Sequence, residues 1–354
     1  MLPKRGLCRL ASAVSETILL QFRTWNYCPA VRSGPCENPA IGVGLRCWRT
    51  IAVIFAGLIF ACPRQGSAQM PWSSTVEPPG DPWLVSAAPT RLDTAFPDEP
   101  AQDGWQVLPE GLMYRSYLAG EKEPRFQFVP LVEKDRGLIW EAALGGRAGI
   151  LRYGNTDAVH PQGWQFDIEG AVLARVDPEE ESDLEAADFR AGFLSTWRSG
   201  PDAFKAGYYH LSSHVGDEFL IKNPGFNRLN YVRDALIAGW THDWTPDFQI
   251  YGEVAYAFNA EDGALPWEFQ YGLQYSPIAP TGWDGAPFGG INIHTREDFD
   301  WETGVNVVAG WLWRGATSNH IFRVGLQFYH GPSIQYSFVD QKETLIGGGL
   351  WFDY

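Results

Sequence analysis

Between Trp164 and Val176 the chain reads WQFDIEGAVLARV, and the parity of that stretch decides the fold. The even positions Trp164, Phe166, Ile168, Gly170, Val172 and Ala174 are apolar or small, while Gln165, Asp167, Glu169 and Arg175 occupy the other face. Side chains alternate across a strand with a period of two, so the stretch predicts a strand with one apolar and one polar wall. The pattern recurs in Phe248, Ile250, Val254, Tyr256 and Phe258 against Gln249, Glu253 and Asn259. It returns in Trp267, Phe269, Tyr271, Leu273 and Tyr275 against Glu268, Gln270 and Gln274, and at Phe322, Val324, Leu326 and Phe328.

Working outward from these segments, the alternation predicts twelve strands, at about 124–134, 138–153, 163–177, 187–200, 202–214, 230–244, 248–260, 267–277, 287–297, 303–314, 320–335 and 343–354. Several apolar faces begin or end on Trp, Tyr or Phe, whose amphipathic rings favour a membrane interface. The fold class expected is all-β: an antiparallel outer-membrane β-barrel of about twelve strands over residues 111–354. A soluble β-sandwich also alternates, but it would not need polar faces of Gln, Glu, Arg and Gly along such long strands. Ser199-Gly200-Pro201-Asp202 and Thr245-Pro246-Asp247 predict tight turns on one side, and the acidic stretches 177–188, 213–229 and 259–266 predict longer loops on the other. The first of these, with Asp177, Glu179, Glu180, Glu181, Asp183 and Glu185, is a calcium candidate or a solvated surface. The terminal Leu350-Trp351-Phe352-Asp353-Tyr354 resembles the closing aromatic signal of outer-membrane barrels.

Upstream, Arg46 and Arg49 precede the apolar run Ile51 to Cys62, which is too short for a spanning helix and reads as an export signal. Gly66-Ser67-Ala68 predicts cleavage before Gln69, so residues 1–68 form the signal region. Residues 1–44 fit no such signal, and translation is expected to begin near Val43 or Leu45. Residues 69–110, with Pro-rich runs such as PPGDPW, read as a periplasmic lead-in. All five cysteines (Cys8, Cys28, Cys36, Cys47 and Cys62) precede Gln69, so the exported chain holds no disulfide. The formal charge of the full chain is −15, and because residues 1–68 are basic the remainder carries −21. That balance excludes a nucleic-acid partner, which requires a basic surface.

The chemistry-bearing stretch is Phe204 to His214. There Phe204, Ala206 and Tyr208 share their parity with His210, Ser212 and His214, which places three polar residues on the lipid-facing wall. Polar groups there are costly and call for a partner or a purpose. His210 and Ser212 lie about 7 Å apart along one face, within reach of each other. Of the adjacent Arg233 and Asp234, one must face lipid or a rim, and the sequence leaves open which.

Tyr209-His210-Leu211-Ser212, followed by Phe226-Asn227-Arg228-Leu229, resembles outer-membrane phospholipase A, a twelve-stranded barrel. The resemblance implies that Ser212 attacks an ester, His210 takes its proton and Asn227 holds the imidazole. It also implies calcium, for which Asp217 and Glu218 could supply oxygen ligands. The longer stretch His210-Leu-Ser-Ser-His-Val-Gly-Asp-Glu218, with Asn230-Tyr-Val-Arg-Asp234, is similar to a bacterial domain-of-unknown-function family of exported barrels, over most of the chain from about Leu108.

Two readings follow: a calcium-dependent phospholipid ester hydrolase using Ser212, His210 and Asn227, or a non-enzymatic structural or narrow-channel barrel. In the second, His210, Ser212, His214 and Arg228 are rim residues meeting lipid phosphates. A transition-metal site of His210, His214, Asp217 and Glu218 is a minor variant of that reading. The expected location is the bacterial outer membrane, the expected partners are membrane lipids, and a homodimer is an open alternative to a monomer. Intact-mass measurement of the exported protein should give a chain starting at Gln69; a mature chain that retains residues 1–40 would refute the assigned signal.

Overall fold

The computed structural model describes residues 103–134, 136–179, 181–315 and 318–354. The signal region and most of the lead-in lie outside the described residues. Thirteen strands form one antiparallel sheet: β1 (Gly104–Val107), β2 (Phe126–Glu133), β3 (Gly137–Gly154), β4 (Gly163–Asp177), β5 (Asp183–Ser199), β6 (Asp202–Val215), β7 (Val232–Thr245), β8 (Phe248–Glu261), β9 (Trp267–Tyr275), β10 (Ala286–Arg296), β11 (Thr303–Arg314), β12 (Ile321–Pro332) and β13 (Lys342–Asp353). From β2 to β13 each strand pairs with the next, and β2 also pairs with β13. Twelve strands are thereby closed into a barrel with no free edge, and these are the twelve read from the alternation. A helix, α1 (Asp217–Lys222), follows β6.

The walls follow the parity. In β4, Gln165, Asp167 and Arg175 are fully buried, while Ile168 on the other face is about half exposed. The exposed outer wall gathers apolar side chains from most strands, including Phe193, Phe204, Leu236, Tyr271, Leu326 and Ile346. Inside, the charges pair. Arg175 reaches Glu141 at 2.5 Å and Glu343 at 2.8 Å, which ties β4 to β3 and to β13 across the lumen. Arg190 pairs with Glu169, Lys205 with Glu253 and Arg323 with Asp353. Ionised groups taken out of water are tolerated only when paired in this way.

The lumen is not left to water. Residues 112–125, which carry no periodic pattern, fold into the barrel, where Met113, Tyr114, Tyr117, Leu118 and Ala119 are buried. Tyr117 stacks on Tyr251 with centroids 3.9 Å apart. The irregular backbone of this segment is satisfied by wall side chains. Leu118 N–H donates to Gln274 Oε1 at 2.8 Å, Asn306 Nδ2 donates to the Ala119 carbonyl at 2.7 Å, and Arg198 Nε donates to the Met113 carbonyl at 3.0 Å. Buried backbone groups without sheet partners need such substitutes. From the other end, residues 333–338 fold inward: Gln335 donates to Glu141 and the Tyr336 hydroxyl to Glu268.

Three details depart from the sequence reading. Gly104–Val107, inside the stretch read as a lead-in, is strand β1, paired with Leu151–Gly154 of β3. The long acidic loop expected at 177–188 is shorter, because β5 starts at Asp183. Glu185 is buried against Arg136, and Asp183 pairs with Lys222. The expected sidedness of loop lengths holds only in part: the turn-rich rim also holds the connections 155–162 and 276–285, and the opposite rim holds the long connections 216–231 and 333–341.

Arg175→Ala leaves Glu141 and Glu343 facing each other without a cation, and should destabilise the barrel by about 3–5 kcal/mol. Urea unfolding of the detergent-solubilised protein measures this; a loss below about 1 kcal/mol would show that the wall does not depend on that ion triad.

Candidate active site on the outer wall

On β6, Lys205, Tyr209, Leu211 and Ser213 are buried inside the barrel, so Phe204, Ala206, Tyr208, His210, Ser212 and His214 form its outer wall, as the parity requires. In the register of β6 with β7, His210 lies opposite Asp234 and Ser212 opposite Val232. Arg233 is fully buried and bonded to Tyr231, Leu265 and Pro266, which turns Asp234 outward and settles the ambiguity between the two. His210 Nδ1 then lies 2.8 Å from Asp234 Oδ1, with the histidine side chain 41% exposed and the carboxylate 20% exposed.

Asp234 is held from three sides. The Tyr208 hydroxyl donates to Oδ1 at 2.6 Å, and Asn259 Nδ2 donates to Oδ2 at 2.9 Å. The second bond depends on a bulge. Asp234 pairs with Asn259, but Ala235 pairs with Ala257, so Phe258 is an extra residue in β8. Alternation placed Asn259 on the polar inner face; the bulge turns it outward onto Asp234, the kind of local re-aiming that bulges supply.

Of the residues proposed from sequence, His210 and Ser212 share the outer wall of one strand, two residues apart. Asn227 does not join them: it is exposed in the connection between α1 and β7 and makes no hydrogen bond to His210. Strand register puts Asp234, and not Asn227, directly opposite His210. Ser212 Oγ makes no hydrogen bond to a described residue, and Nε2 of His210 is the ring nitrogen left over by Asp234. His214 continues the face upward, edge to face with Phe189 at 5.7 Å, and Arg228 is exposed.

Asp217 and Glu218 are exposed neighbours in the first turn of α1. Calcium takes six to eight oxygen ligands, and two such carboxylates do not fit it. Among the described residues no three His, Cys, Asp or Glu side chains are grouped to hold a metal, which also leaves the set His210, His214, Asp217 and Glu218 without support.

The same two strands provide an internal comparison. At the opposite rim His242 Nδ1 lies 2.9 Å from Asp202 Oδ1, and Trp240 Nε1 donates to the same oxygen at 3.0 Å. That pair has no hydroxyl two residues along its strand face, since Phe204 and Trp240 flank it. A His–Asp pair alone is thus compatible with anchoring at an interface; Ser212 is what distinguishes the first.

Residues 107–354 match the family described as "Protein of unknown function (DUF1207)". The chain belongs to that family. No curated protein matches the sequence. Among solved structures, this chain and outer-membrane phospholipase A from Escherichia coli superpose with a TM-score of 0.43 at 12% identity, over 65% of this chain and 92% of that one. The calcium-bound phospholipase dimer from Salmonella typhi gives 0.40 at 12% identity, over 68% and 92% of the two chains. The KdgM porin gives 0.38 at 9%, over 65% and 98%.

The chain beyond Cys62 has no native cysteine, so single cysteines report the wall directly. In lipid nanodiscs Ser212→Cys should react with a membrane-soluble maleimide at least tenfold faster than Ser213→Cys, whose side chain points inward to Asp188 and Ser337. Faster labelling at position 213 would invert the assigned faces.

Proposed function

We propose that this barrel resides in the outer membrane and hydrolyses carboxylic esters of phospholipids, with Ser212 as nucleophile, His210 as general base and Asp234 as the residue that orients the imidazole. The observation that carries the reading is the bond between His210 Nδ1 and Asp234 on the lipid-facing wall, two residues from Ser212. With Nδ1–H held by the carboxylate, Nε2 is the basic nitrogen, and Ser212, two residues along the same strand face, is the hydroxyl from which it would take a proton. Ser212 Oγ attacks the ester carbonyl while Nε2 takes its proton. The tetrahedral intermediate then expels the lyso-lipid alcohol, which receives that proton from the imidazolium. Water hydrolyses the acyl-serine by the same transfer, releasing the fatty acid and restoring the hydroxyl.

The substrate class follows from position. A nucleophile on the outer wall meets molecules dissolved in the bilayer and not solutes in the lumen, and phospholipids are the esters present there. The charge-paired lumen, filled by residues 112–125 and 333–338, favours this reading over an open channel. Calcium enters no step, because the two carboxylates offered for it do not make a site.

Purified protein in detergent with a chromogenic ester lipid, assayed with and without calcium, tests the proposal. Ser212→Ala and His210→Ala should each lower kcat by about 10³-fold or more, and Asp234→Asn by about 10²- to 10⁴-fold, whereas Asn227→Ala should leave it within twofold. Equal turnover by wild type and Ser212→Ala would end the hydrolase reading.

A further inference from the structure

Ser212 stands at the end of a ladder. The pairing of β6 with β7 stops at Ser212 and Val232, and the Ser213 N–H then reaches the Tyr231 carbonyl at 2.9 Å before the chain leaves for the connection 216–231. Strands open more readily at the limit of a ladder than at its centre. A side chain that must meet a reacting carbonyl at bonding distance therefore needs its position fixed from elsewhere.

That support comes from inside the barrel. The two neighbours of Ser212 on β6, Leu211 and Ser213, point inward and are buried. Leu211 belongs to the same buried apolar cluster as Tyr336. Ser213 lies opposite Asp188 of β5 and donates its hydroxyl to Asp188 Oδ1. With that proton committed to a carboxylate, the contact of 2.6 Å between the Ser213 and Ser337 hydroxyl oxygens is donated by Ser337. Asp188 Oδ2 accepts from the Lys122 ammonium and from the Tyr336 N–H, the latter at 3.2 Å, and the ammonium lies 4.8 Å from the centre of the Tyr336 ring. Lys122 comes from the luminal segment 112–125, and Tyr336 and Ser337 come from the segment 333–338. Both inward segments thus converge on one wall carboxylate, and that carboxylate holds the residue next to Ser212. Asp188 and Ser213 are fully buried, so bulk water does not compete for these bonds.

We propose that Asp188, Ser213 and Ser337 are positioning residues for Ser212, a role that rests on Ser212 acting as the nucleophile, and that the filled lumen thereby governs the outer-wall site. Tyr336 and Ser337, adjacent in the inward segment, brace Leu211 and Ser213, the two residues that flank Ser212. Drawing 333–338 out of the lumen removes both braces together. The backbone at Ser212 then loses its fixed distance to His210, whose own anchor, Asp234, lies on the outer face and is untouched. Withdrawal of the inward segment lowers turnover without dismantling the His210–Asp234 pair.

Ser337→Ala removes one hydroxyl of the brace, Ser213→Ala removes the bond to Asp188, and Ser213→Thr keeps a hydroxyl at the same place. In lipid nanodiscs a spin label on Ser212→Cys should tumble about twice as fast when combined with Ser337→Ala or Asp188→Asn as it does alone. The same label on Ala206→Cys, on the same outer face but about 20 Å along the strand, should not change. In protein that keeps Ser212, Ser337→Ala and Ser213→Ala should each lower kcat on the chromogenic ester lipid about tenfold at unchanged KM, and Ser213→Thr should hold the wild-type value. Each variant is first shown to fold by its circular dichroism and its heat-dependent gel shift. A label at 212 that does not loosen, equal loosening at 206, or a wild-type kcat in folded Ser337→Ala and Ser213→Ala would each overturn the brace and leave the hydrolase in place. Absence of Ser212-dependent turnover in wild type would end the hydrolase itself, and the positioning role with it.

Discussion

Every strand of a sheet must bond its backbone N–H and C=O groups along both edges, and the rest of this structure depends on that constraint. Pairing β2 with both β3 and β13 satisfies it by removing the sheet edge. Once the wall is closed, each strand has two unlike solvents on its two sides, and alternation sorts the side chains between them. The inward set is charged, and a closed barrel gives it little water, so arginines such as Arg175, Arg233 and Arg323 are fully buried and must find carboxylates or carbonyls. The same requirement explains the inward segments. They bring backbone carbonyls and hydroxyls that use the remaining donors of the wall, as Arg152 does with the carbonyls of Glu110 and Gly111.

How much of this was legible in the sequence varied with how local its cause was. Strand number and face were readable because alternation is a property of neighbouring residues, and Trp164 to Val176 sorted as read. The outward direction of His210, Ser212 and His214 followed from the same rule. Asn259 was misplaced because one inserted residue, Phe258, reverses the parity beyond it, and no local signal marks that insertion. Asp234 could not be chosen over Asn227 as the partner of His210, because cross-strand register is set by the whole β6–β7 ladder and not by spacing along the chain. The luminal segment was invisible for a further reason. Its bonds go to Gln274, Asn292 and Asn306, more than a hundred residues away, and it needs no pattern of its own.

On the proposed membrane reading, the two His–Asp pairs on β6 and β7 set the depth at which Ser212 would lie. Asp202 and His210 are eight residues apart on β6, about 26 Å along the strand, and at the usual tilt of about 40° that is about 20 Å along the membrane normal. Between them the outer wall offers only Phe204, Ala206 and Tyr208 on β6, and Leu236, Ala238 and Trp240 on β7. The span is close to the apolar band of an outer-membrane barrel, about 25 Å, so each pair lies at a boundary where ring and carboxylate can still reach polar surroundings. A phospholipid ester occupies that same depth, below its phosphate and above its chains. On the proposed reading, Ser212, one step beyond His210 on the polar side, would stand near the level of the ester without the cost of a polar group at mid-bilayer. The bulge at Phe258 makes this arrangement firmer than the pair at the other rim. Asp202 is fixed by Trp240 and His242 alone, whereas Asp234 is held by Tyr208, Asn259 and His210, from its own neighbouring strands on both sides. A carboxylate so constrained fixes one nitrogen of the His210 ring, which in the proposed reaction is what leaves the other free to act as a base.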